Sequence, residues 1–374
     1  VKYRAALAVA PLVLLVACSG NKGAPAAAGG PITVEATDDG CKVARDTADA
    51  GNITFEVSNK GSKVTEFYLY GEGDRIMGEV ENIGPGLTRR LIVEVPEAGK
   101  FQTACKPGMA GDGIRAEFRI AGGAAKAADT NTLLNDAVQN YQRYVNAQTD
   151  SLETRTTEFV NAVKAGKVDD AKALYPVARI YWERIEPVAE SFGDIDPKID
   201  TREANLEAGQ AFTGWHRLEK DLWAAGLQPD SGKLADQLLA DVKDLVGRAK
   251  TVNFDALKMA GGAKELLDEV ATGKITGEED TFSHTDLYDF RSNVDGSQAA
   301  IAALRPVIDS RDKALGATLD EKFTAVDKLL EKQRKGDGFK LYTELTQDEI
   351  KEFVAAVDAL GEPVSKVAEV VAAQ

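Results

Sequence analysis

Two histidines occur in 374 residues, and one of them, His216, stands three positions before Glu219 in AFTGWHRLEKDLW. On a helix through 204–224 this spacing puts both side chains on one face. Phe212 and Trp223 share that stripe, and Trp215 lies on the adjacent one with Leu218 and Leu222. An imidazole and a carboxylate in apolar surroundings need partners, because unpaired polar groups are costly to bury. A metal ion would satisfy both. So would hydrogen bonds to a neighbouring helix, and periodicity leaves the two readings open.

Other stretches carry ligand-type residues. YWERIEPVAESFGDID holds Glu183, Glu186 and Glu190 on one helical segment, and TFSHTDLYDFRSNVDG holds His284 with Asp286 and Asp289. A helical core that points a carboxylate or imidazole inward from several helices makes a metal cage. Ser283 and Asp286 also have the spacing of a capping box, and Glu190 can be solvated. Nearer the N-terminus, FQTACKPGMAGDG brings Cys105 and Met109 close in sequence, while Cys41 and Glu66 (in KVTEFYLY) are further candidates. Residues 31–121 contain no histidine, so a blue-copper centre, which needs two imidazoles, is not expected.

Two kinds of element must position these residues. Residues 31–121 read as strands: Ile53, Phe55 and Val57 alternate, as do Leu91, Val93 and Val95, and Ile114, Ala116, Phe118 and Ile120. Short alternating strands at this density predict a β-sandwich. AGGAAKAADT marks a linker near 121–130. From 131 to 374 the pattern is helical, with short Gly, Pro or Asp turns, which predicts an antiparallel bundle.

Lys2 and Arg4 precede an apolar run that ends at Ala17-Cys18. The run is too short to span a bilayer and reads as a signal peptide. Leu15-Val16-Ala17-Cys18 resembles a bacterial lipobox, which implies cleavage after residue 17 and lipidation of Cys18; an ordinary signal peptide is the alternative. Residues 18–30 then form a flexible tether. Export would leave Cys41 and Cys105 in an oxidising compartment, where they can pair. The formal net charge of −15 makes nucleic acid an unexpected partner.

Taken together, YWERIEPVAESFGDID, TGWHRLEKDLW and SHTDLYDFRSNVDG resemble, in order and after a β-domain, the segments of the EfeO-type iron-uptake lipoproteins. The resemblance implies a cupredoxin-like β-sandwich followed by an all-α imelysin-like domain whose H-x-x-E motif, here His216 and Glu219, belongs to a metal site. It makes Glu183 the expected third ligand and Asp289 the fourth. It also implies a second metal site on Cys41, Cys105, Glu66 and Met109, beside which a Cys41–Cys105 disulfide stays open. One imidazole with several carboxylates is a hard donor set, suited to iron, manganese or zinc rather than Cu(I). The expected role is non-enzymatic: iron, with zinc or copper as stand-ins in vitro, is captured outside the cytoplasm and passed to a membrane permease. A haem-containing peroxidase of the same system is a further partner, and a lipid anchor holds the chain to the membrane. Two other functions compete, an imelysin-like hydrolase and an envelope polysaccharide-binding module. No H-E-x-x-H or G-x-S-x-G occurs, which disfavours the hydrolase.

Overall fold

The computed structural model describes residues 30–71, 76–95, 98–108, 112–122, 132–206 and 208–373. Cys18 and Met109 therefore lie outside the described residues. From Pro31 onward the chain forms one compact unit.

Among the described residues its first part is a sandwich of nine strands: β1 (Ile32–Ala36), β2 (Cys41–Val43), β3 (Thr47–Asp49), β4 (Gly51–Asn59), β5 (Thr65–Tyr70), β6 (Ile76–Ile83), β7 (Thr88–Val95), β8 (Gly99–Pro107) and β9 (Ile114–Ala121). One sheet has the order β2-β1-β4-β7 and the other β3-β9-β8-β5-β6. The alternation read from the sequence sets the inner faces, with Ile53, Phe55, Val57, Phe67, Leu69, Phe118 and Ile120 all buried. Two pairings are parallel, β1 with β4 and β3 with β9. A disulfide between Cys41 of β2 and Cys105 of β8 ties the sheets together, its Cα atoms 5.5 Å apart.

The second part is helical: α1 (Thr132–Lys164), α2 (Val168–Glu183), α3 (Asp196–Ile199), α4 (Gly214–Lys220), α5 (Ser231–Ala249), α6 (Ala256–Thr272), α7 (Asp286–Arg311), α8 (Lys313–Glu331), α9 (Gln347–Val364) and α10 (Val367–Ala372). A single apolar core runs through it, with Trp182, Trp215, Phe159 and Tyr175 fully buried. Two expectations about continuity need correction. Glu183, Glu186 and Glu190 do not share a helix: α2 stops at Glu183, and a 3-10 segment, Glu186–Phe192, follows with a kink at Val188. The helix expected over 204–224 begins only at Gly214, passes into a π turn at Asp221–Ala225, and leaves most of 201–213 irregular.

Strands β6 and β7 pack against α6, which in turn packs on the 3-10 segment. Gly262 permits this close approach, since a Cβ there would lie 1.7 Å from the Pro187 carbonyl oxygen.

Candidate metal centre

Charged side chains from five places meet inside the helical half. Helix α2 contributes Arg179 and Glu183 one turn apart. Asp200 follows α3, His216 and Glu219 come from α4, Glu279 and Asp280 from the loop before α7, and Asp289 from α7 itself. None of these side chains is more than 9% exposed. Gly214 makes the juxtaposition possible. Its φ of +79° starts α4 in a conformation that side chains disfavour, and a Cβ there would sit 2.1 Å from the Ile199 carbonyl oxygen. The first turn of α4 is thus pressed against the end of α3, with His216 beside Asp200.

Both ring nitrogens of His216 face carboxylates. Nδ1 lies 3.2 Å from Glu219 Oε2, while Nε2 lies 3.4 Å from Asp200 Oδ1 and 3.4 Å from Glu279 Oε1. Nε2 has no well-formed hydrogen bond. In a neutral ring with its proton on Nδ1, the Nε2 lone pair would point at two carboxylates, so the position calls for a proton or a metal ion. The surrounding carboxylates are held in place. Glu219 Oε1 accepts the backbone N–H groups of Phe282 and Ser283 at 2.9 and 2.7 Å. Trp182 Nε1 donates to Asp200 at 2.7 Å, and the Tyr175 hydroxyl donates to Asp280 at 2.9 Å. Among the described residues three sets of donor atoms lie within 4.8 Å of one another: Asp200, His216 and Glu279; His216, Glu219 and Asp280; and Glu183, Glu279 and Asp289.

Two buried cations divide this cluster. The Arg179 guanidinium is ion-paired with Glu183 and Asp200, and lies 3.1 Å from Glu279 and 3.3 Å from Asp289. Lys274 Nζ bridges Glu183 at 2.9 Å and Glu186 at 2.7 Å. Asn293 Nδ2 donates to the same two carboxylates at 2.9 and 2.6 Å. Arg179 thus reaches the carboxylates of the first and third donor sets, while Glu219 in the second is held by backbone N–H groups and His216.

The protonation pattern follows. Burial would raise the Asp200 carboxyl, but Arg179 and His216 overcome it and hold it well below the usual range. Burial likewise opposes ionisation of Glu279, which Lys274 and His216 pull down. Burial and the neighbouring Glu219 push Asp280 up to about 6, and burial with Asp280 pushes Asp286 up to about 7. Burial raises Asp289 well above its ordinary value despite Arg179. His216 is pressed downward by burial and by Arg179, yet its contacts with Asp200, Glu219 and Glu279 leave it well above the usual imidazole value.

All four residues expected from the sequence, His216, Glu219, Glu183 and Asp289, are buried in this cluster. Glu183 and Asp289 are however engaged by the two cations, and beside Glu219 the donor sets of His216 draw on Asp200, Glu279 and Asp280, which sequence reading passed over. His284 stands outside the three donor sets, in left-handed backbone with φ 60°. Asp286 caps nothing through Ser283; its Oδ1 accepts the backbone N–H of Asp280 at 3.1 Å.

Of the two alternatives left open for the sandwich half, metal or disulfide, its described residues show the disulfide. Cys41 and Cys105 are consumed by their disulfide. In the β5–β8 ladder Phe67 lies opposite Cys105, while Glu66 lies opposite Lys106. Side chains alternate along a strand, so Glu66 projects from the other face, where it accepts a hydrogen bond from Tyr68 at 3.0 Å. Glu79, paired with Tyr68 across β5–β6, shares that outer face and meets Glu190 of the 3-10 segment. Burial and Glu190 push the Glu79 carboxyl well up.

The comparisons agree with this architecture. The imelysin family profile matches residues 137–367, and that of the cupredoxin-like domain matches residues 7–117. The chain is 38% identical over 341 residues to iron uptake system component EfeO of Escherichia coli strain K12, covering 90% of each protein. The same figures hold for EfeO of Shigella flexneri. The solved structure of dithionite-reduced auracyanin from Roseiflexus castenholzii aligns with 24% of this chain and 96% of its own at 16% identity, with a TM-score of 0.21, too low to carry an argument. With both domains in order and near-full coverage of relatives that are uptake components rather than enzymes, the chain belongs to the EfeO family of iron uptake system components.

Proposed function

We propose that this chain captures iron outside the cytoplasm on the buried centre of its helical half and delivers it to a membrane permease. The observation that carries the reading is His216, whose two nitrogens face carboxylates on opposite sides. His216, Glu219 and Asp280, with Asp200 and Glu279, are the residues that would hold the ion. Glu183 and Asp289 compensate Arg179 and Lys274. A single imidazole among carboxylate oxygens suits a hard cation such as iron; zinc or copper would be weaker guides to the physiological cargo. In this reading the chain is a lipoprotein anchored through Cys18, with a haem-containing peroxidase as a further partner. No described helix is long and apolar enough to cross a membrane, and the anchor would supply the attachment.

Metal analysis of the full chain tests the centre. His216→Ala combined with Glu219→Gln is expected to lower bound iron from roughly one equivalent to near zero while circular dichroism shows the helices intact. Unchanged iron content in that variant would sink the assignment.

A further inference from the structure

One cavity comes close to the buried centre. A cleft of about 590 Å³ lies between β6 and β7 on one side and the 3-10 segment, α6 and the α9–α10 turn on the other. Among the described residues, acidic side chains in its lining outnumber basic ones by nine to five. Three of the basic ones are ion-paired with lining carboxylates. The other six carboxyl groups of the lining are Glu79, Glu186, Glu190, Asp196, Glu265 and Glu269. Glu186 belongs to both places: it lines the cleft, and Lys274 ties it to Glu183 inside the centre.

Lys274 is only 3% exposed, and its Nζ is also 3.9 Å from Glu279. It is thus a monovalent cation held between the cleft and an oxygen of the His216 cluster. Asn293, fully buried, spans the same Glu183–Glu186 gap with its Nδ2 but leaves its Oδ1 without a hydrogen bond, and Ser297 Oγ one turn along α7 is likewise unbonded. The unbonded Asn293 oxygen, on the amide that spans the two carboxylates held by Lys274, is a group that a hydrated cation would satisfy.

We propose that the cleft is the route by which iron reaches the centre, and that Lys274 is its exchange residue. The arriving ion takes over Glu186 and Glu183 from the ammonium and passes on to Glu279 and His216. This rests on the reading that the His216 centre takes up iron. A divalent ion displaces the ammonium because each carboxylate interacts more strongly with two charges than with one at similar distance. When iron leaves, Lys274 returns and keeps the carboxylates compensated.

Anaerobic stopped-flow mixing of the full chain with ferrous iron alone tests the route, read through Trp182, whose indole N–H is bonded to Asp200. Glu190→Lys, at the cleft wall, is expected to slow association about tenfold at low ionic strength and less at high salt. Lys274→Met is expected to speed association by a similar factor and to enlarge the iron-induced rise in Tm. Should Lys274→Met fail to fold, Glu190→Lys still decides. Arg202→Gln is the control for another route, since Arg202 covers Glu279 from the opposite loop at 3.4 Å. Faster uptake in Arg202→Gln, with Glu190→Lys at the wild-type rate, would overturn the cleft route. If wild-type protein takes up no iron, the centre itself is misread and both conclusions fall. If it does and neither cleft variant changes the rate, only the route falls.

Discussion

His216 concentrates the chemistry of this protein because its ring cannot be satisfied by one neighbour. The carboxylates around it titrate in a window set by their burial. Asp280 and Asp286 have native values near 6 and 7 against an ordinary value near 4. Between about pH 4 and 7 the native metal-free chain keeps protons that the unfolded chain has released, so stability falls as pH rises. The raised His216 acts in the same sense above its ordinary value, where its contribution is lost as pH climbs through the native value. Asp200 and Glu279, held low, lose their contribution only under more acidic conditions. The metal-free protein should therefore melt at a lower temperature at pH 7.5 than at pH 5.5, and iron should raise Tm more at pH 7.5 because it replaces those protons. Calorimetric scans at the two pH values, with and without iron, check this; a pH-independent Tm would contradict it. At this scale the sequence disclosed the pair His216 and Glu219 but not their partners. Asp200, Glu279 and Asp280 sit in IDPKIDTRE and GEEDTF, where charge density looks like solvated surface. The overlooked signal was Arg179 in YPVARIYW, a lone cation in an apolar helical run that had to be buried with counter-charges.

Elements bring these residues together through close backbone contacts rather than through long helices. The helix read over 204–224 is cut to Gly214–Lys220 because Gly214 takes positive φ against Ile199. Periodicity gives the face of a helix but not where its first turn can begin when tertiary contact decides. Gly214→Ala should cost about 3 kcal/mol or more, combining left-handed strain with a backbone clash. It should also weaken iron binding, since it moves His216 away from Asp200. Urea unfolding and calorimetric titration of the same variant check both effects; a variant that loses stability yet binds iron normally would show that the close approach serves packing alone.

Across the whole molecule, the order of sandwich and helices was legible because strand alternation and helical periodicity differ so clearly. The parallel pairings β1–β4 and β3–β9 were not, since nothing local records which distant strand a given strand will join. The face of Glu66 was in principle readable, because Phe67 and Leu69 alternate with Tyr68 and Tyr70 and place Glu66 with the tyrosines. The disulfide between residues 41 and 105 closes a long loop, and Cys41→Ser with Cys105→Ser should cost about 2–5 kcal/mol. Iron bound at 25 °C should be unchanged in that variant. Chemical denaturation followed by metal analysis of the folded fraction checks both, and loss of an iron equivalent would return the cysteines to the list of ligands.

Arg179 reaches carboxylates from α2, the end of α3, the 277–285 loop and α7, and so braces the walls of the centre in the absence of metal. In small zinc domains the ion is itself part of the fold, and chelation unfolds the chain. Here an internal guanidinium already supplies positive charge at the crossing of the walls. Emptying the centre should therefore leave its shape largely standing, and refilling should need little reordering. If the chain carries iron as proposed, this brace would let the same molecule be loaded again without refolding between journeys.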